Sequence, residues 1–249
     1  MSRDLEGKVA LITGASRGIG SAIARVCARE GARIAMIDMQ DLGDGDETLV
    51  ALEEMGTEVR FYQADVGDFA RAQEVVAEVV ETFGALDILV NNAGINRDGV
   101  IWKMSETAWD DVIATDLKGV FNYTRAATPI FRAQKGGRII NVSSINGLRG
   151  KFGQSNYTAA KAGVIGFSKS VAREMGRAEV TVNVVCPGII GTEMIESMPD
   201  EVKKAAIQEI VLGRIGAPKD VAEVIAFLAS DKARHVTGEV IKVDGGQYI

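Results

Sequence analysis

The chain has 249 residues, 47% hydrophobic and 25% charged, a composition that fits one folded globular domain and excludes a disordered chain. Its net charge of −6 argues against a nucleic-acid binder, whose footprint is basic. Two cysteines and a single histidine leave no disulfide framework and no zinc site, so no metal is expected. No apolar run approaches the roughly 20 residues that span a membrane. The start, MSRDLEGKVA, carries Asp4 and Glu6 and lacks the apolar stretch of a secretory signal. The expected setting is a reducing cytoplasm, without a membrane partner.

Seven short apolar, β-branched runs predict strands at Lys8–Thr13, Arg33–Asp38, Glu58–Gln63, Leu86–Asn91, Arg138–Val142, Val180–Cys186 and Val240–Val243. Val9–Ile12 and Ile88–Val90 are continuously apolar rather than alternating, as strands buried on both faces are. Helical patterns fill the gaps. Ala72, Val75, Val76, Val79, Val80 and Phe83 make an apolar stripe of helical period, and Val221, Val224, Ile225 and Leu228 make another. Strand, helix and strand recur every 25–30 residues or so, the length of a βαβ crossover. Right-handed crossovers put helices on both faces, so the expected fold is a single α/β domain, doubly wound around a seven-stranded parallel sheet. No composition shift marks a second domain.

The first strand runs into TGASRGIG, Thr13 to Gly20, and then into a helix starting near Ile19. Glycines between a strand and a helix allow a sharp turn and let backbone approach a pyrophosphate at the helix N-terminus. The second strand ends at Asp38, 18 residues past Gly20. An acidic residue at that distance hydrogen-bonds the adenosine ribose of NAD and repels a 2′-phosphate. Met39 and Gln40 add no cation; Arg17 is the one residue that favours a 2′-phosphate. The cofactor expected is therefore NAD(H), with NADP(H) the alternative.

Tyr157 and Lys161 are four apart in a segment, Ser155–Arg177, that predicts a helix, which puts them on one face a turn apart. An ammonium beside a phenol favours phenolate, and a tyrosine tuned in this way serves as a general acid or base. Ser144, just past the strand Arg138–Val142, is suited to hold a substrate carbonyl toward that tyrosine.

Together with NNAG (Asn91–Gly94), YTAAK (Tyr157–Lys161) and CPGIIGT (Cys186–Thr192), these motifs resemble the short-chain dehydrogenase/reductase family in content and order. The resemblance implies that Gly14, Ser16, Arg17, Gly18, Ile19 and Gly20 line the cofactor's phosphates and adenosine side. It places Asp38 on the adenosine ribose and Asp65 and Val66 at the adenine. It puts Asn91, Ala93 and Gly94 beside the cofactor, and Pro187, Gly188, Ile190 and Thr192 at the nicotinamide end. Tyr157 becomes the general acid/base, Ser144 its partner on the carbonyl, and Lys161 the residue that holds the nicotinamide ribose and lowers the tyrosine pKa. Residues 189–212 become a substrate lid. One position departs: the family usually has asparagine where this chain has Asp116, a position that contributes chiefly its backbone carbonyl to a proton relay. An aspartate keeps that carbonyl and adds a carboxylate that favours the ammonium form of Lys161.

Within the family, the stretches Ala93–Met104 and Asn141–Tyr157 look most like acetoacetyl-CoA reductases and 3-oxoacyl-acyl-carrier-protein reductases. By that likeness Phe152 and Gln154 contact a short acyl group, with Lys151 where the acetoacetyl-CoA group usually has glutamine. That group usually prefers NADPH, against which Asp38 stands. The implied substrate is an acyl thioester of coenzyme A or of acyl-carrier protein, whose acidic carrier calls for a basic rim drawn from Lys103, Lys135, Arg138, Arg149 and Lys151, with Arg177 on the helix after the catalytic pair. A homotetramer is implied too, with Glu106–Lys135, the Ser155–Arg177 helix and the C-terminal GGQYI at its interfaces. The competing readings are a secondary-alcohol, ketone or sugar dehydrogenase on the same scaffold, since one scaffold carries many chemistries, and a cofactor-binding subunit impaired in catalysis.

Overall fold

A computed structural model describes residues 3–43, 45–193 and 200–249. Its seven strands are β1 (Val9–Thr13), β2 (Arg33–Asp38), β3 (Val59–Gln63), β4 (Ile88–Asn91), β5 (Gly137–Val142), β6 (Val180–Pro187) and β7 (Val240–Val243). Each runs where the apolar pattern predicts it. They form one sheet in the order β3-β2-β1-β4-β5-β6-β7, with every pairing parallel. β1, β4 and β6 are buried along their whole length, which is why their sequences show no alternation.

The helices are α1 (Gly18–Arg29), α2 (Glu47–Glu54), α3 (Phe69–Phe83), α4 (Glu106–Ile113), α5 (Gly119–Gln134), α6 (Asn146–Arg149), α7 (Ser155–Met175), α8 (Asp200–Gln208) and α9 (Pro218–Ala229). Ile23, Val26 and Cys27 of α1 and Val221, Ile225 and Leu228 of α9 cover one face of the sheet. Val75, Val76 and Val79 of α3, Tyr123 and Phe131 of α5, and Val171 and Met175 of α7 cover the other. In the predicted stripes only Val80 and Val224 are partly exposed. Side chains aimed at the sheet leave water; those at the edge of the stripe do not.

The chain leaves β1 toward β2 and β3, then returns to place β4 on the other side of β1. The crevice at this reversal, beyond the carboxyl ends of β1 and β4, is where a doubly wound sheet binds ligands. The predicted segment Glu106–Lys135 is α4 and α5 joined by one π-helical turn, Ala114–Lys118. A π turn adds a residue to the helix and swings the side chains within it to a new direction, and such turns concentrate at functional sites. Here it turns Asp116 inward, fully buried. Among the described residues no helix is long and apolar enough to cross a membrane.

Candidate active site

Two adjoining cavities, of about 720 Å³ and about 510 Å³, open at the carboxyl ends of the strands. Ile19, Asn92, Gly94, Ile95 and Thr192 line both, so the two share a wall.

The larger cavity follows the glycine-rich turn. Gly14, Arg17, Gly18, Ile19 and Gly20 form one side, and Asp38, Asp65, Val66 and Ala93 lie along it. Gly20 admits no side chain, because a Cβ there would lie 1.9 Å from the Gly14 carbonyl oxygen. The turn therefore folds back on itself and leaves bare backbone facing the groove at the N-terminus of α1, which suits a pyrophosphate. Asp38 ends β2 with one carboxylate oxygen 2.5 Å from the Ser16 hydroxyl that donates to it. Ser16 thus acts on Asp38 rather than on the groove, which it does not line. Arg17 is exposed and lies 3.8 Å from Glu193. The groove, its bare backbone and the acidic Asp38 along it fit a nicotinamide dinucleotide.

Asn91 is a correction. Its amide faces the interior, donating to Thr124 at 3.2 Å and to Asn141 at 2.8 Å, and it lines neither cavity. Successive residues of a strand point to opposite faces, and Asn92 is the one that reaches the crevice. Its amide donates to the Thr13 and Gly14 carbonyls at 3.0 Å each, locking the end of β4 to the glycine turn. The motif contains two adjacent asparagines, and only the strand's phase tells them apart.

The smaller cavity holds Ser144, Tyr157, Lys161 and Asp116. Helix α7 carries Tyr157 and Lys161 one turn apart, with the ammonium 5.5 Å from the phenol ring centre. Lys161 is buried and donates to the Val142 carbonyl at 3.2 Å. Its backbone carbonyl accepts the Ser143 hydroxyl at 2.8 Å, fixing α7 against the end of β5. The Ser144 oxygen accepts the Asn146 backbone N–H at 3.1 Å, and its hydroxyl hydrogen-bonds Tyr157 across the cavity.

Lys161 has a second neighbour. An Asp116 carboxylate oxygen is 3.1 Å from its ammonium, and the other oxygen accepts the Ile95 N–H at 2.8 Å. Gly94 makes room for this pair: a Cβ there would fall 2.7 Å from Asp116 and 3.2 Å from the ammonium. Burial works against the charged form of Lys161, but Asp116 and Tyr157 outweigh it and hold its pKa above the ordinary lysine value. Burial raises the Asp116 carboxyl, with Lys161 and the Ile95 N–H pulling the other way. Tyr157 is raised by burial above the usual phenol value. Lys161 and the Ser144 hydrogen bond act to lower it, whereas Asp116 and Asp98 raise it further. The lowering expected from the lysine alone is present but does not prevail.

A belt of hydrogen bonds encircles this cavity. The Gln154 amide donates to Asp98 at 3.0 Å and its oxygen accepts from Asn146 at 3.0 Å. Farther round, Glu209 accepts from Arg149 at 3.1 Å and from Gln247 at 3.0 Å, and the Gln247 oxygen accepts the Ile189 N–H at 3.1 Å. Pro187, Gly188, Ile190 and Thr192 close the wall beside it. Of the three expected substrate residues, Gln154 and Lys151 line the cavity, but Phe152 does not and is 82% exposed. Of the expected basic rim, Arg149 and Lys151 are present, while Arg138 pairs with Asp231 at 3.1 Å instead. In the expected lid, 189–212, residues 194–199 lie outside the described residues; α8 supplies Lys203, Ala205 and Ala206 to the cavity, and Glu209 follows it. Asp98, Glu209 and Gln247 escape sequence reasoning because distant segments bring them together, without any local motif.

The family model described as enoyl-(acyl carrier protein) reductase matches residues 14–247. The chain is 46% identical over 242 residues to the 3-oxoacyl-[acyl-carrier-protein] reductase FabG of Staphylococcus aureus, covering 97% of this chain and 98% of that protein. It is 46% identical over 245 residues to the protein of the same name from Thermotoga maritima, covering 98% and 99%. It is 42% identical over 246 residues to that from Vibrio cholerae, covering 99% of each.

Proposed function

The chain belongs to the short-chain dehydrogenase/reductase family, oxidoreductases acting on CH–OH groups with NAD(P); from that premise we propose that it reduces a 3-oxoacyl thioester to the 3-hydroxyacyl thioester, with NADH preferred to NADPH. The observation that carries the reading is that Ser144, Tyr157 and Lys161 converge on a cavity that shares a wall with the dinucleotide groove. The relatives named above, 3-oxoacyl-[acyl-carrier-protein] reductases at near full length, support the substrate class. Arg149 and Lys151 at the cavity suit the acidic carrier of such a thioester.

Glycine turn, Asp38 and the Asp65–Val66 segment would hold the pyrophosphate, ribose and adenine, and Lys161 the nicotinamide ribose. Bound there, the nicotinamide supplies the hydride. Ser144 donates a hydrogen bond to the substrate carbonyl oxygen and orients it. Tyr157 donates its phenolic proton to the same oxygen as the carbon becomes tetrahedral, and the phenolate left behind recovers a proton from solvent beside the Lys161 ammonium. In oxidation the roles reverse, and Tyr157 must start as phenolate.

The preference for NADH rests on Asp38. A 2′-phosphate would meet this carboxylate, while Arg17 already faces Glu193. Assembly as a homotetramer is supported by an aromatic cluster on α3, α5 and α7 whose Phe69 and Phe121 are exposed. There Phe69 stacks on Phe121 at 6.0 Å and Phe167 meets Phe121 edge-on at 6.4 Å.

Loss of NADH absorbance with acetoacetyl-CoA, and with an acetoacetyl acyl-carrier protein, tests the substrate. Crotonyl-CoA serves as the enoyl control, and short secondary alcohols with NAD test the competing dehydrogenase reading. Turnover of the oxoacyl thioesters at least tenfold above both controls supports the proposal. Faster turnover of the alcohols or of crotonyl-CoA overturns it.

A further inference from the structure

We propose that Asp116 is a positioning residue that balances the charge of Lys161 and so keeps Tyr157 in its phenol form, setting the pH window in which each direction of the reaction runs. The inference rests on Tyr157 being the proton-transfer group of the reading above, and it extends that reading to a residue that acts through Lys161.

The geometry ties the Asp116 side chain to Lys161. It is fully buried, and the π turn Ala114–Lys118 directs it into the protein. One oxygen is pinned by the Ile95 N–H, and the other faces the Lys161 ammonium at 3.1 Å. Gly94 must lack a side chain for the two to meet. A charge-balancing carboxylate so placed is costly to bury unless it meets an opposite charge; here that charge belongs to the group that governs Tyr157.

The consequence follows from electrostatics in a water-poor site. An unpaired ammonium 5.5 Å from the phenol ring would strongly favour phenolate. A carboxylate 3.1 Å from that ammonium offsets much of its field. The other groups facing the pair are few. Asp98, from the loop after β4, adds negative charge near Tyr157; Cys186 of β6 faces Lys161; and Ser144, after β5, contributes a hydrogen bond. Asp116 therefore acts in the same sense as Asp98 but from within contact of the lysine. Carbonyl reduction needs the phenol and alcohol oxidation needs the phenolate. Holding Tyr157 protonated moves both limbs to higher pH and leaves the overall equilibrium of the reaction unchanged.

The test is a spectrophotometric titration of the tyrosinate band, without cofactor or substrate, so it does not depend on the substrate assignment. The difference between wild type and Tyr157→Phe isolates the Tyr157 step; the same subtraction is made in an Asp116→Asn background. The expected result is a Tyr157 step at least about one pH unit lower in Asp116→Asn, with Asp116→Glu, which keeps the charge, returning it toward the wild-type position. An unchanged or higher step in Asp116→Asn overturns the proposal. Should that variant not fold, Asp116→Ser, which also removes the carboxylate, takes its place: a Tyr157 step lower than wild type by about one pH unit supports the inference, and an unchanged or higher step overturns it. Failure of the thioester substrate would leave this titration unaffected.

Discussion

The Ser16 hydroxyl donates to the Asp38 carboxylate at 2.5 Å. The glycine-rich turn and the end of β2 are thereby one unit, and the carboxylate lining the groove is held in place. Replacing Asp38 with serine and Met39 with arginine removes the negative charge and offers a cation to a 2′-phosphate. A hydrogen bond to a charged group contributes about 2 kcal/mol, so kcat/KM for NADH should fall roughly 30-fold while that for NADPH rises by a comparable factor. Steady-state kinetics with both cofactors check this.

Tyr157→Phe removes the donated proton and leaves the ring in place. General acid catalysis contributes about 10²–10⁴ in rate, so kcat should fall by a factor in that range. Binding of NADH, followed by its fluorescence, should change less than threefold or so, since the phenol oxygen rather than the ring carries the chemistry.

The aromatic cluster on α5 predicts the assembly. A particle of about four times the 26.5 kDa chain mass is expected by light scattering. Phe121→Glu places a charge between Phe69 and Phe167 and should lower the particle mass without unfolding the chain.

Glu209 ties the segment after α8 to α6 through Arg149 and to the C-terminal segment through Gln247. The hydrogen bond from Gln247 and the pairing with Arg149 lower its pKa. Its contribution is thus present above the ordinary glutamate range and is lost as pH falls through the lowered value. A half-exposed pair contributes at most about 1 kcal/mol. Glu209→Ala should therefore raise KM for the thioester about two- to fivefold and leave kcat and thermal stability little altered.

Both cysteines are buried, and burial pushes the Cys27 thiol up to about 12. Neither should react with iodoacetamide at pH 8 in the native protein, since the thiolate is the reactive form. Modification by mass spectrometry is expected only after denaturation.

The strands were legible because a parallel sheet covered on both faces needs continuous apolar runs, and Val9–Ile12 and Ile88–Val90 supply them. The glycine turn, Ser144, Tyr157 and Lys161 were legible because their spacing is local. Asn91 was expected beside the groove, yet Asn92 is the asparagine that lines it, since the phase of a short strand is set by its pairing partners rather than by composition. The π turn left no mark in the sequence. Asp116 was expected to keep the backbone carbonyl and to add a carboxylate that favours the Lys161 ammonium; the turn brings that carboxylate to 3.1 Å from it. Phe152 belongs to a loop whose direction is set by the Gly99 N–H to Gly153 carbonyl bond of 2.8 Å, a contact across more than fifty residues of sequence.

The central claim is NADH-linked reduction of a 3-oxoacyl thioester at Tyr157. Its most direct test is kcat/KM for NADH and for NADPH, measured separately at saturating acetoacetyl-CoA with the wild-type protein. The account predicts a ratio of at least about tenfold in favour of NADH, the effect of roughly one charged contact. Equal values, or a preference for NADPH, would contradict the role given to Asp38; no turnover with either, in protein that binds both, would contradict the substrate.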